Sequence, residues 1–406
     1  MLVVGAGPSG LSAARELGRS GIGPVLVVDR ESEAGGVPRH CHHAGFGLQD
    51  LHWSMGGPAY ARLLARRAEE SGARIRCATT VAAIAPDGAV TLVGPGGIDV
   101  VRPDAVVLAT GARERPRSAR LVPGDRPAGV FTTGQLQQWV VAGLPVGSRA
   151  VVVGAEHVGY SAVLTLRQAG VPTVAMVTGL PRHQTLPGFA FAARIGLRVP
   201  LRTTTRVVGL HGRGRLEAVD VEDVRTGSVD RIGADTVVFT GDWVPDHELA
   251  RRLGLACDPA TLGPRTDGWG RTAHPGVLAI GNLVHPGETA GMAALGGRAA
   301  GRRLAATWPA RDGERTVPRS AGLTLTVRPP LAWVVPSVID PADPPDRLLL
   351  RTSSFSDHRV VVARQGGTVV GRHRLRHSTP NRSLGVPGTV VAGAVPEGGP
   401  VEVGLV

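Results

Sequence analysis

Residues 2–29 leave the chain little choice of fold. LVV at 2–4 is a short β run, GAGPSG supplies Gly5, Gly7 and Gly10, and LSAARELGRSG reads as an amphipathic helix ending at Gly21. PVLVVDR then gives a second strand with Asp29 at its end. A strand, a G-x-G-x-x-G turn, a helix and a strand closing on an acid roughly 20 residues further on is the context a dinucleotide-binding unit requires. The glycines bring a helix N-terminus against a pyrophosphate, and an acid in the place of Asp29 binds ribose hydroxyls. A glycine-rich turn in any α/β protein is the plainer alternative, and the shared register of strand, helix and acid weighs against it. The candidate cofactor contacts in this stretch are Gly5, Gly7, Pro8, Ser9, Gly10, Asp29 and Arg30.

The same order recurs in SRAVVVGAEHVGYSAVLTLRQAGVPTVAMVT, residues 148–178. Here Gly154 and Gly159 frame the turn, but Glu156 stands where the middle glycine belongs. That glycine lets the backbone approach the phosphates, and a carboxylate there opposes them. The strand VAMVT also ends without an acid for an NAD ribose. Arg182 lies just beyond and could face a 2′-phosphate, but one arginine in so arginine-rich a chain says little. The sequence predicts a second dinucleotide fold retained as a scaffold or docking surface, with no NAD(P) bound.

At 406 residues and 42% hydrophobic content, the chain has material for two or three soluble domains. No apolar run approaches the roughly 18–20 residues of a membrane helix. Met1 leads straight into LVVGAGPSG, so no signal peptide and a cytoplasmic location are expected. The net charge of +12 comes from 45 basic residues, all of them arginine. They are scattered, with few aromatics among them, so nucleic acid is not expected as a partner and an acidic protein or anionic substrate is. Without lysine there is no Schiff-base, pyridoxal phosphate or P-loop lysine chemistry. Cys41, Cys77 and Cys257 form no C-x-x-C, which argues against a redox dithiol or an iron–sulfur cluster. His40, Cys41 and His43 lack a distant fourth ligand, so no metal site is expected.

The first turn and the ordered motifs that follow it carry a resemblance. ESEAGG after Asp29 gives the pair Gly35 and Gly36, VVLATG closes a strand on Ala109, Thr110 and Gly111, TVVFTGDWVP ends at Gly241 and Asp242, and LAIGN ends at Gly281 and Asn282. Over residues 1–310 the sequence resembles the flavoproteins with two dinucleotide-binding domains, the glutathione-reductase-like superfamily. The resemblance implies FAD in the first site, with Gly35, Gly36, Val81, Ala109, Thr110, Gly111, Gly281, Asn282 and Thr289 among its contacts. Asn282 replaces the family's usual aspartate at a ribityl hydroxyl. His285, Glu288 and Thr289 are expected near the flavin's pyrimidine end, and a helix starting around Met292 would aim its positive end at the flavin. An ordinary core helix is the alternative for its small residues.

Disulfide reductases of this superfamily carry a cysteine pair shortly after the second glycine pair, where this chain has Arg39, His40, Cys41, His42 and His43. A lone thiol cannot cycle through an internal disulfide. The stretch GG-x3-H-C-x-H-x-GFGL followed by GP-x-YA is similar to the flavoprotein subunits of amino-acid, opine and hydroxyproline dehydrogenases and of hydrogen cyanide synthase. That similarity implies oxidation of a C–N or C–O bond with electrons passed to a partner subunit or quinone, although the cysteine-rich segment of some members is missing. Catalytic candidates are His42 and His43 as proton acceptors and Cys41 as a thiolate, with packing of the turn as the alternative role. Cys41 and the histidines are also conceivable points of covalent FAD attachment. Two further functions stay open: an NAD(P)H-dependent FAD reductase, and an electron-relay subunit that oxidises nothing itself.

Beyond a linker near 308–320, short β runs separated by Pro, Gly, Asn and Asp predict a small antiparallel barrel or sandwich. The expected architecture is α/β, two Rossmann-like three-layer domains plus a small C-terminal antiparallel β domain. The FAD domain would comprise 1–115 and 246–310, the second Rossmann-like domain 116–245 and the β domain 321–406.

Overall fold

Valine and leucine runs that end at glycine turns are too short for helices and too apolar for the surface, so they are best buried as parallel strands. The computed structural model, which describes residues 1–185, 196–308 and 322–406, shows this arrangement twice. The chain divides into two compact units. One contains Met1–Arg39, Gly45–Ala112 and Val244–Val406, the other His40–Ala44 and Arg113–Trp243. The expected linker near 308–320 lies, beyond Trp308, outside the described residues.

In the first unit, Leu2–Val4 lies between Leu26–Val28 and Val106–Leu108 in a five-stranded parallel sheet, with Arg74–Arg76 and Val277–Ala279 at its edges. The helix Pro8–Ser20 ends at Gly21, whose φ of 67° is the left-handed conformation glycine adopts without strain. Its Leu11, Ala13, Ala14 and Leu17 share one core with Val3 and Val27, and each leucine contributes about 1.5–3 kcal/mol by its burial. The helix Ala290–Thr307 starts two residues before the expected Met292. It packs so closely on Pro8–Ser20 that a Cβ at Gly297 would come within 2.1 Å of the Ser9 carbonyl oxygen, and one at Gly301 within 2.7 Å of that of Ala13. Gly297 and Gly301 therefore serve helix–helix approach.

Also in this unit, the strands Leu323–Val327, Val338–Ile339, Ser356–Gln365, Thr368–Ser378 and Val401–Leu405 form one sheet, and Leu331–Val335, Arg347–Thr352 and Ser383–Pro387 form another. They enclose their own core, including Leu325, Leu348, Leu350, Val361 and Val403. The pairing departs from the antiparallel expectation in one place, where Leu323–Val327 runs parallel to Val401–Leu405. Trp333 and Val335 join the core formed by Leu2, Val4 and Leu108 on the parallel sheet.

In the second unit, the parallel sheet has the order Leu201–Arg202, Thr173–Val177, Ala150–Val153, Thr236–Phe239, Val130–Thr132. The helix His157–Gln168 follows its glycine turn. No helix among the described residues is long and apolar enough to cross a membrane.

Candidate functional site

The first glycine turn is shaped by what each missing side chain would meet. A Cβ at Gly5, where φ is 107°, would come within 2.4 Å of the Ala109 carbonyl oxygen, and one at Gly10 within 2.0 Å of that of Gly5. These two glycines let strand, helix and the 109–111 turn close on one another. A Cβ at Gly7 would meet nothing within 4 Å. Gly7 is the N-cap of Pro8–Ser20, no side chain caps that helix, and its first turn carries no acid. Its N–H groups and positive end are thus left for an anion. Asp29 accepts hydrogen bonds from the amide of Ala6 (2.6 Å) and of Glu31 (2.9 Å), which fix its carboxylate and leave each oxygen further acceptor capacity. A Cβ at Gly35 would strike that of Ala61 at 2.4 Å, and one at Gly36 would lie 2.8 Å from Gly7 Cα, so the second glycine pair closes directly on the first turn. These residues fit the pyrophosphate and ribose of FAD.

The other expected contacts are more constrained. Thr110 Oγ1 donates to the Asp246 carbonyl (2.7 Å), Arg30 pairs with the Asp246 carboxylate (3.2 Å), and Val81 is buried in the sheet's core. Gly111 and Gly281 both take positive φ, 77° and 67°. Asn282 turns its amide inward, Nδ2 donating to the Glu288 carbonyl (3.1 Å) and Oδ1 accepting from the Glu288 amide (3.0 Å). Thr289 caps Ala290–Thr307 by accepting from the Met292 amide at 3.3 Å, and its hydroxyl also meets Gln49. Glu288, expected near the flavin, directs its carboxylate to Arg351 and Ser383. His285 Nδ1 is buried without a partner among the described residues, and burial holds its imidazole below the usual range.

The second turn is filled by its own side chain. Glu156 is the N-cap of His157–Gln168, the position Gly7 holds in the first turn. Its carboxylate folds back over the turn, accepts from Thr240 Oγ1, and would lie 2.8 Å from a Cβ on Gly154 and 2.9 Å from one on Gly241. Burial raises its pKa, against the Thr240 hydrogen bond. Glu114, also buried, accepts from the Gly134 amide (2.9 Å), and burial pushes it up to about 7, with the charge of Glu156 adding to the rise. Arg120 donates to the carbonyls of Arg115 (2.8 Å), Thr240 (3.1 Å) and Gly241 (2.8 Å), and its charge offsets both acids. The space over this turn, open at Gly7 in the first, is taken here by the Glu156 carboxylate.

The segment His40–Ala44 groups with this second unit. The Cys41 thiol donates to Gln137 Oε1 (3.3 Å), Gln137 Nε2 donates to Ser161 Oγ (3.0 Å), and Ser161 Oγ meets His43 Nε2 (2.6 Å). His43 Nδ1 faces the Ala44 carbonyl (2.8 Å), so a neutral imidazole with its proton on Nδ1 satisfies the whole chain. The thiolate expected at Cys41 is corrected: burial pushes the thiol up to about 12, so it stays protonated. His42 is exposed. Among the described residues, no group of three or more His, Cys, Asp or Glu is arranged to hold a metal. Sequence reasoning missed Glu114, Gln137, Ser161 and Arg351, although Glu114 follows the turn 109–111 by three residues and Ser161 stands two beyond Gly159. Arg351 carried a signal as a charge closing the apolar run LLL in a strand.

A family model described as pyridine nucleotide-disulphide oxidoreductase matches residues 1–304. The chain is 30% identical over 366 residues to the alpha subunit of sarcosine oxidase from Corynebacterium sp. (strain P-1), covering 83% of this chain and 35% of that protein. It is 29% identical over 311 residues to an opine oxidase subunit from Agrobacterium tumefaciens (strain Ach5), covering 70% and 60%. It thus spans less than two thirds of these relatives' own length. Among solved structures it is similar to T. acidophilum thioredoxin reductase, with a TM-score of 0.63, 22% identity, and coverage of 75% of this chain and 97% of that one. A likeness at that identity speaks to the fold alone.

Proposed function

The chain belongs to the pyridine nucleotide-disulphide oxidoreductase family, and we propose that it is an FAD-dependent oxidoreductase that dehydrogenates a small amine, imino acid or hydroxy compound and hands the electrons to a partner subunit or another acceptor. The observation that carries this reading is the contrast between the two glycine turns: Gly7 leaves the first open to a pyrophosphate, and Glu156 fills the second. FAD is therefore assigned to the first unit, and no pyridine nucleotide to the second. A cytoplasmic location agrees with this reading.

In the first unit, the N-terminal amides of Pro8–Ser20 hold the pyrophosphate and Asp29 the ribose. Bound there, FAD supplies the two-electron acceptor that a C–H bond needs. The substrate's N–H or O–H proton is assigned to His43. If Nε2 gains a proton it becomes a donor, and Ser161 Oγ, which has a second lone pair, accepts from it, so the network takes up charge without losing that hydrogen bond. The protonated Cys41 thiol serves as a donor to Gln137 and does no redox work. Two of the relatives are named as subunits of oxidases, which supports a partner for this chain as well.

The test is anaerobic. The purified chain, with its flavin spectrum recorded, is mixed separately with NADH, NADPH and a panel of amino, imino and hydroxy acids. Rapid bleaching by a panel compound alone is the expected result. Rapid bleaching by either nicotinamide cofactor would sink the assignment of the second unit and favour the FAD reductase. A flavin that nothing bleaches would make electron relay the better reading.

A further inference from the structure

The β strands beyond residue 322 share no motif with the dinucleotide-binding folds, yet they deliver one charged side chain to the cofactor loop. Arg351 lies in the strand Arg347–Thr352, opposite Trp333 on one neighbouring strand and Ser383 on the other. Its guanidinium stacks on the Trp333 ring at 4.8 Å and donates to Ser383 Oγ at 3.1 Å. Beyond these flanks it donates to the Pro286 carbonyl (2.8 Å) and to Glu288 Oε1 (3.0 Å). The side chains of Arg351 and Glu288 are only 10% and 7% exposed. Ser383 also donates to Glu288 Oε1. Both loop groups reached by Arg351 belong to the segment 281–289, whose two ends are already tied by Asn282 to the backbone of Glu288. The next residue, Thr289, caps Ala290–Thr307.

We infer that Arg351 is a positioning residue for the cofactor: through Pro286 and Glu288 it fixes the loop 281–289, and with it the N-terminal end of the helix Ala290–Thr307. The inference rests on the assignment of FAD to the first unit. The β domain is then part of the cofactor site by proxy. Arg351 Nε is buried without a hydrogen-bond partner among the described residues, and the two terminal nitrogens make the contacts to the loop. The Arg351 and Glu288 charges offset each other, so the loop is held without adding net charge beside the positive end of the helix.

The experiment uses the full chain, stripped of flavin and titrated with FAD while its fluorescence quenching is followed, together with the flavin midpoint potential by dye equilibration. Arg351→Met is expected to weaken FAD binding by roughly tenfold or more, the worth of one charge-assisted hydrogen bond, and to shift the potential. Arg351→Lys, which keeps the charge but cannot reach both acceptors at once, should recover part of the affinity. A folded Arg351→Met protein with wild-type affinity and potential overturns the inference. If that variant fails to fold, Ser383→Ala decides by the same titration: roughly threefold weaker binding supports the clamp, and unchanged binding overturns it. A wild-type chain that binds no FAD would instead overturn the functional reading beneath it.

Discussion

Replacing Glu114 by glutamine tests the electrostatics of the second unit. The Glu114 carboxyl has an ordinary value of 4.5 and is pushed up to about 7 in the fold, chiefly by burial. The folded chain therefore holds this proton more tightly than the unfolded chain does. Stability from this group is fully present below about pH 4.5, declines as the pH rises, and is lost above about pH 7. At about 1.4 kcal/mol per pKa unit, the whole effect is about 3 kcal/mol. Between about pH 5 and about pH 8, about 2–3 kcal/mol of it should disappear. Glutamine keeps an acceptor for the Gly134 amide and has no proton to lose. Glu114→Gln should thus match the wild type near pH 5 and exceed it near pH 8, by several degrees in unfolding temperature for a unit of this size. Unfolding followed by circular dichroism at both pH values measures it, and titrating groups that Glu114 does not touch cancel between the two proteins; Glu156, coupled to Glu114, does not. An advantage of equal size at both pH values, or none at pH 8, would refute the reasoning.

Glu156→Gly should open the second turn; equilibrium titration with NADPH and NADH is expected to show binding roughly tenfold or more tighter than in the wild type, and equal weak binding in both would show that the carboxylate is not what excludes the nucleotide. Gly7→Ala and Gly10→Ala should separate function from folding. The first meets nothing within 4 Å among the described residues and should leave flavin-free stability within about 0.5 kcal/mol while weakening FAD binding. The second meets the Gly5 carbonyl oxygen at 2.0 Å and should cost at least about 1–3 kcal/mol, read as a lower denaturant midpoint. His43→Gln should slow substrate-driven flavin reduction by about 10²–10⁴-fold with FAD affinity unchanged; stopped-flow reduction at wild-type speed would remove His43 from the chemistry.

The parallel strands and first turn were legible because their constraints are local. Gly5 and Gly10 are dictated by backbone approach within a few residues, and Asp29 closes the same unit. Glu156 was legible as a misfit for the same reason, though its partner Thr240 was not, because that hydroxyl arrives from a distant strand. The roles of Glu114 and Arg351 were not legible for a deeper reason. What makes each significant is burial beside a group far along the chain, Glu156 in one case and Glu288 in the other. Cys41 shows the opposite failure. A cysteine between histidines suggests a thiolate, but the fold desolvates it, and desolvation outweighs sequence neighbourhood.

The strand Val401–Leu405 lies between Leu323–Val327, to which it runs parallel, and Ser356–Gln365, to which it runs antiparallel. It leaves the ribosome after both of its neighbours, which until then each present an open edge to the cell. Parallel pairing over such a separation is slow because the loop must close before any contact rewards it, and open edges recruit other chains. The first parallel sheet receives its last strand, Val277–Ala279, well before this. On the nascent chain, then, the cofactor fold can assemble while the sheet behind Arg351 is still split in two. Insertion of one short strand is what joins the two halves of that sheet.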